Sequence, residues 1–228
     1  IINTMKKTLL LMAAVAAMVC SCDKDGDCVP CQKEEEQEQK AALRVSLNLE
    51  GDPQTRATNY VTAQAYETAV NDVQIFVFDE SGKINIYKDA GTTQSNIPIS
   101  TTTGKKTIWA VVNGPDLSEV ASLAELEDTA IDLAANSTTA ATGFVMAGST
   151  SCTVSASAAT ANISVSRLVA RVALQKVTNQ LPDGYGALTI DNVVLTNVAG
   201  NQNIAGDATP ATWYNKMGRK DGATESSQ

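Results

Sequence analysis

Leu43-Arg44-Val45-Ser46-Leu47-Asn48-Leu49 alternates apolar and polar positions without error. A period of two is that of a strand with one buried face. Leu43, Val45, Leu47 and Leu49 fall on that face. Gly51-Asp52-Pro53 ends the run, and Gln54-Thr55-Arg56-Ala57-Thr58-Asn59 reads as an exposed loop. Val73 to Phe78 is a second strand, followed by the turn residues Asp79-Glu80-Ser81-Gly82 and a returning partner from Lys83 to Tyr87. Residues 89–104 are rich in Gly, Thr, Ser and Asn, as in a loop or weak strand. Lys106 to Asn113 is a strand stopped by Asn113-Gly114-Pro115. Ser118 to Leu126 fits one short helix capped by Ser118. Phe144–Gly148, Ala161–Ser166, Leu168–Val177 and Leu188–Val198 complete the predicted strands. Short β-type runs separated by turn residues point to an all-β chain, a β-sandwich with one small helix. Residues 201–228 do not close a domain, so a second domain is expected to start there and to be truncated.

A different pattern precedes the first strand. Lys6 and Lys7 form a basic start, and Thr8 to Val19 is an apolar run without charge. A membrane-spanning helix needs ~20 apolar residues, so this run is too short. Val19-Cys20-Ser21-Cys22 has the form of a bacterial lipobox, with small Ser21 just before Cys22. Cys20 follows bulkier Met18 and Val19 and fits less well. Residues 1–22 therefore read as a lipoprotein signal peptide with Met5 as initiator, and Cys22 as the acylated residue of the exported chain. Residues 23–42, with Asp23, Asp25, Asp27 and Glu34-Glu35-Glu36, form an acidic solvated tether.

Charge and composition narrow the function. The chain has 228 residues and a formal net charge of −8, with no stripe of Lys and Arg, so nucleic acid is not an expected partner. Histidine is absent, which removes the commonest general base and metal ligand. No GxSxG, HExxH or phosphate loop is present. The carboxylate pairs Asp79-Glu80 and Glu127-Asp128 lie in turns or loops. An enzyme, a metal site and a cofactor are all unexpected. Cys28-Val29-Pro30-Cys31 sits in the tether as a disulfide or two free thiols, and Cys152 reads as a small apolar filler.

Four body segments, in order, resemble the fimbrillin family of Bacteroidales, the major fimbrial subunits related to FimA. They are Val73-Gln74-Ile75-Phe76-Val77-Phe78-Asp79, Trp109-Ala110-Val111-Val112-Asn113, Gly143-Phe144-Val145-Met146-Ala147-Gly148, and Arg167-Leu168-Val169-Ala170-Arg171-Val172. The lipobox and the Thr55-Arg56-Ala57 loop join them.

The resemblance implies a transthyretin-like Greek-key sandwich over residues 57–200, the N-terminal domain of a two-domain subunit. It implies export to the outer membrane as a lipoprotein, then cutting by an arginine-specific surface protease between Arg56 and Ala57. Residues 43–56 would be the propeptide strand that leaves. A strand of an identical or related subunit would replace it, building a surface fimbria that adheres to host or bacterial receptors. Asp23, Asp25 and Asp27 resemble a surface-export signal, and Asp128-Thr129-Ala130 resembles an O-glycosylation acceptor, though a plain loop accounts for it better. The alternatives are a permanently lipidated surface protein that binds glycan or host protein, and a fimbrial anchor or tip component.

Overall fold

The computed structural model describes residues 39–49, 65–137, 143–174, 176–182, 184–186, 188–217 and 224–226. The alternating run that opens the described chain is strand β1, Lys40–Leu49, three residues longer at its start than the pattern predicts. The extension adds Ala41 to the buried face beside Leu43 and Val45. β2 (Val73–Phe78) and β3 (Ile84–Asp89) form the expected hairpin. Asp79 shapes its turn by accepting from the backbone N–H groups of Ser81 and Lys83 and from the Ser81 hydroxyl. The Ser81 hydroxyl, against the opposing pull of burial, holds the Asp79 carboxyl below its ordinary range, with help from the two amides.

The Gly- and Thr-rich stretch contains a true strand, β4 (Ile97–Thr102), whose Ile97 and Ile99 face the core. β5 (Gly104–Val112), β7 (Met146–Val154) and β8 (Ala159–Arg167) supply the remaining long strands. The seven strands run in the order β3-β2-β5-β7-β8-β1-β4. β7 and β8 pair only at Met146 with Arg167 and Ala147 with Ser166. Beyond that short seam the sheet folds over, and its halves share one apolar core. Val73, Ile75, Val77, Ile108, Ala110 and Val112 from β2 and β5 meet Leu43, Val45, Ile97, Ile99, Ile163 and Val165 from β1, β4 and β8.

All six residues of β2 are buried, because its other face is covered too. There Phe76, Phe78, Trp109 and Val111 pack with Leu117, Val120, Leu126, Ile131 and Ile204. Helix α2 (Leu123–Asp128) lies in this covering layer. Its N-cap is Ser122, not the expected Ser118. Ser122-Leu123-Ala124-Glu125 carries the capping-box spacing. Glu125 N–H donates to the Ser122 hydroxyl, and the Glu125 carboxylate accepts from Ala121 N–H. Ser118 belongs to a turn closed by Val120 N–H on the Leu117 carbonyl. Two further short helices, α1 (Ala65–Thr68) and α3 (Leu133–Ser137), bring the described helices to three where one is expected.

Two predicted strands are largely absent among the described residues. The described residues between Leu168 and Val177 are irregular, as are those between Leu188 and Asn197. Val172, Leu174, Leu188, Val193 and Val194 are exposed. Alternation makes a strand only where a neighbouring strand supplies hydrogen bonds and a second layer covers the apolar face. Leu168 donates its N–H to the Val145 carbonyl and packs partly on the covering layer, and Val198 pairs with Tyr214, but no described strand flanks the rest of these runs. After them, β9 (Val198–Ala199) pairs with β11 (Thr212–Tyr214), and β11 with β12 (Thr224–Ser226). β10 (Asn201–Asn203) pairs with β6 (Ala130–Asp132), across the boundary expected at residue 200.

Candidate functional site: the seat of the first strand

β1 lies between β4 and β8, with a backbone partner on each side. It runs antiparallel to β4, from Lys40 opposite Thr102 to Val45 opposite Ile97. It runs parallel to β8, from Leu43 beside Ala159 to Leu49 beside Val165. This is the single parallel pairing within the seven-stranded sheet. Adjacent backbone ties extend the seat. Leu47 N–H donates to the Gln94 carbonyl at 2.7 Å, and Thr103 N–H donates to the Gln39 carbonyl at 2.7 Å. Asn96 N–H donates to the Ser46 hydroxyl at 3.0 Å.

The side chains divide along the strand. Leu43 and Val45 are 1% and 0% exposed. Leu47 and Leu49 are partly buried against the same core. Lys40, Ala42 and Arg44 face solvent. The structure thus places the four expected apolar residues on one strand, most deeply seated around Val45. Burying Leu43 and Val45 contributes roughly 1.5–3 kcal/mol each.

Without β1, β4 has no strand partner among the described residues, and β8 keeps only its two-residue seam with β7. The seat is therefore a groove with two walls of unpaired backbone and an apolar floor, shaped to take a strand. Cys22, Arg56 and Ala57 lie outside the described residues. The segment that carries Arg56 leaves β1 at Leu49, beside Val165 of β8. The chain is next described in α1, where Arg167 at the end of β8 donates its Nε–H to the Glu67 carbonyl at 2.7 Å. Both flanks of residues 50–64 are thus held at the same end of one strand.

Several polar residues around the groove were not singled out from the sequence as site residues. Glu67 is 6% exposed and ion-paired with Arg171. Lys106 is 2% exposed and donates its Nζ–H to the Thr102 hydroxyl at 2.9 Å. Asn85 of β3 accepts from the Thr101 hydroxyl and donates to that of Thr102. At the far end of β5, Asn113 sits at φ 55°. Its amide donates to the carbonyls of Ala69 and Phe144, and its side-chain oxygen accepts from Asn71 N–H.

The remaining candidates find structural roles. Cys152 is a free thiol partly packed on the sandwich core, and burial raises its pKa. Thr129 caps the end of α2 and donates its hydroxyl to the Glu125 carbonyl. Among the described residues, no group of three or more Cys, Asp or Glu could hold a metal ion.

The family profile described as major fimbrial subunit protein (FimA) matches residues 41–208, from the buried start of β1 to just past β10. Three solved structures share the fold. A provisionally named cell adhesion protein of Bacteroides eggerthii is 18% identical, with a TM-score of 0.55 over 83% of this chain and 62% of its own. A fimbrilin (FimA) of Porphyromonas gingivalis is 12% identical, with a TM-score of 0.53 over 76% and 55%. A provisionally named cell adhesion protein of Parabacteroides distasonis is 16% identical, with a TM-score of 0.52 over 73% and 52%. The chain thus spans 62%, 55% and 52% of the lengths of these three proteins. No curated protein matches the sequence.

Proposed function

Because the chain belongs to the major fimbrial subunit protein (FimA) family, we propose that it is a subunit of a cell-surface fimbria that polymerises by exchanging β1 for a strand of the next subunit. The family is one of structural subunits, not of enzymes. The precursor travels to the outer membrane with lipid on Cys22. An arginine-specific protease then cuts between Arg56 and Ala57, and the strand holding Leu43, Val45, Leu47 and Leu49 departs.

The observation that carries this reading is the position of β1 between β4 and β8. Before the cut, β1 is tethered to the sandwich and returns to its seat whenever it frays. After the cut it is a separate chain that can diffuse away, so a competing strand can replace it. An incoming strand with apolar residues at alternate positions recovers both rows of backbone bonds and the buried floor. This is β-strand addition, here inside a sheet. The contact is heterologous, so repeated head to tail it gives an open filament. It also satisfies two strand edges that would otherwise be prone to unspecific pairing.

The alternatives, a permanently lipidated binding protein or a fimbrial anchor, keep β1 for life. Its two-sided pairing suits that role as well. Terminal sequencing of protein stripped from cell surfaces separates the readings. Strand exchange requires a mature chain that begins at Ala57, whereas a chain that begins at acylated Cys22 assigns the anchor or binding role. Cys22→Ala should abolish labelling by a fatty-acid analogue, and undiminished labelling would refute the lipidation site.

A further inference from the structure

We propose that two polar braces, one on each wall, hold the β1 seat open while it is empty and so keep the cut chain able to accept a strand. The proposal rests on the strand-exchange reading. The first brace joins Asn85 and Lys106 to Thr101 and Thr102 on β4. The second joins Glu67 to Arg167 at the end of β8 and to Arg171 in the irregular stretch after it.

The need for braces follows from the sheet order. Once β1 leaves, Ile97 and Ile99 of β4 face Ala161, Ile163 and Val165 of β8 across a gap. Burial of apolar surface is non-directional, so it favours closing that gap and does nothing to preserve its width. Neighbouring strands lie ≈ 4.8 Å apart, so the walls of a one-strand gap stand roughly 9.6 Å apart. Closing it moves one wall by about one strand spacing. A hydrogen bond is lost well before such a displacement is complete. Directional bonds anchoring the walls from outside the gap therefore oppose the collapse.

Each wall has such an anchor, made without β1. β4 and β3 are the terminal strands of the seven-stranded order. Asn85 of β3 bridges them, accepting from the Thr101 hydroxyl and donating to Thr102 Oγ1. Lys106 of β5 donates to the same Thr102 oxygen. On the other wall, the β7 seam covers only Ser166 and Arg167. Glu67 strengthens it by taking Arg167 Nε–H on its carbonyl and Arg171 on its carboxylate. The Glu67 carboxylate is buried, which favours a charge-assisted contact over an exposed one. Because α1 follows Arg56 in the chain, this anchor stays with the mature protein.

In the uncut precursor, β1 itself ties β4 to β8, so the braces are largely redundant there. That difference supplies the test. The full chain is given a unique protease site beside Arg56, cut, and incubated with a fluorescent peptide of residues 39–49. The cut wild type should take up the peptide in exchange for its own β1. Asn85→Ala and Arg167→Met, which removes the Nε–H donor on β8, should each lower uptake by about tenfold or more, while their uncut forms melt within a few degrees of uncut wild type. Thr102→Val, which removes the oxygen shared by Asn85 and Lys106, should behave like Asn85→Ala. Uptake by the variants at the wild-type level overturns the brace proposal and leaves strand exchange standing. An uncut variant that melts far below wild type assigns that brace to ordinary stability and overturns the proposal for it. No uptake by the cut wild type sinks strand exchange itself, and the braces with it.

Discussion

Replacing both Val45 and Leu47 with Asp should unseat β1 from the intact precursor. Val45 is fully buried, opposite Ile97 on β4 and beside Ala161 on β8. A carboxylate there would face the apolar side chains of the sandwich core. Losing the valine contact costs roughly 1.5–3 kcal/mol, and desolvating an unpaired charge adds several more. A domain of this size has only about 5–15 kcal/mol in total, so β1 should detach rather than carry the charge inward. Amide exchange across β4 and β8 should rise toward that of exposed strands, and a protease should reach residues 40–49 without prior cutting. Under strand exchange, filaments assembled from already matured subunits should be unaffected, because β1 would not be part of them. A precursor with unchanged protection at β4 and β8 would contradict this placement of the strand.

Gly148→Ala should be nearly as damaging, for a different reason. A Cβ at Gly148 would lie 2.0 Å from the Ser164 carbonyl oxygen and 2.9 Å from its carbon. Both atoms belong to backbone, so no side chain can swing aside. β7 and β8 would have to separate next to the two-residue seam on which the fold of the sheet turns. Overpacking of this kind costs about 1–3 kcal/mol, and the upper end applies where only backbone can yield. Gly91→Ala is the control. Its φ of 56° carries strain, but nothing lies within 4 Å of the new methyl. It should cost only about 1 kcal/mol. Equal melting temperatures for the two variants would show that β7 and β8 do not cross so closely.

The strands with strong periodicity were legible in the chain: β1, β2 with β3, β5 and β8 follow from spacing and turn residues alone. β4 was legible only as a weak strand or a loop, because Ile97 and Ile99 stand among Thr, Ser and Asn and its burial depends on β1 lying beside it. The helix at Ser122 was readable from its capping box, but Ser118 offered a similar polar start four residues earlier. Leu168–Val177 and all but the last residue of Leu188–Val198 carry a strand pattern that no described strand pairs with. The candidate site divides the same way. The buried face of β1 follows from a two-residue period, whereas the contacts of Glu67 with Arg171 and of Asn85 with Thr101 join positions far apart in the chain. Nothing local marks a glutamate or an asparagine as a brace, since the same residues on a surface look identical in sequence.

Strand replacement is tested most directly by what the finished filament contains. Full-length precursor is cut between Arg56 and Ala57, allowed to assemble, and the washed polymer is measured by quantitative mass spectrometry. Strand exchange requires that peptides from residues 43–49 are absent from the polymer and recovered in the soluble fraction. Their retention at one copy per subunit would contradict strand exchange.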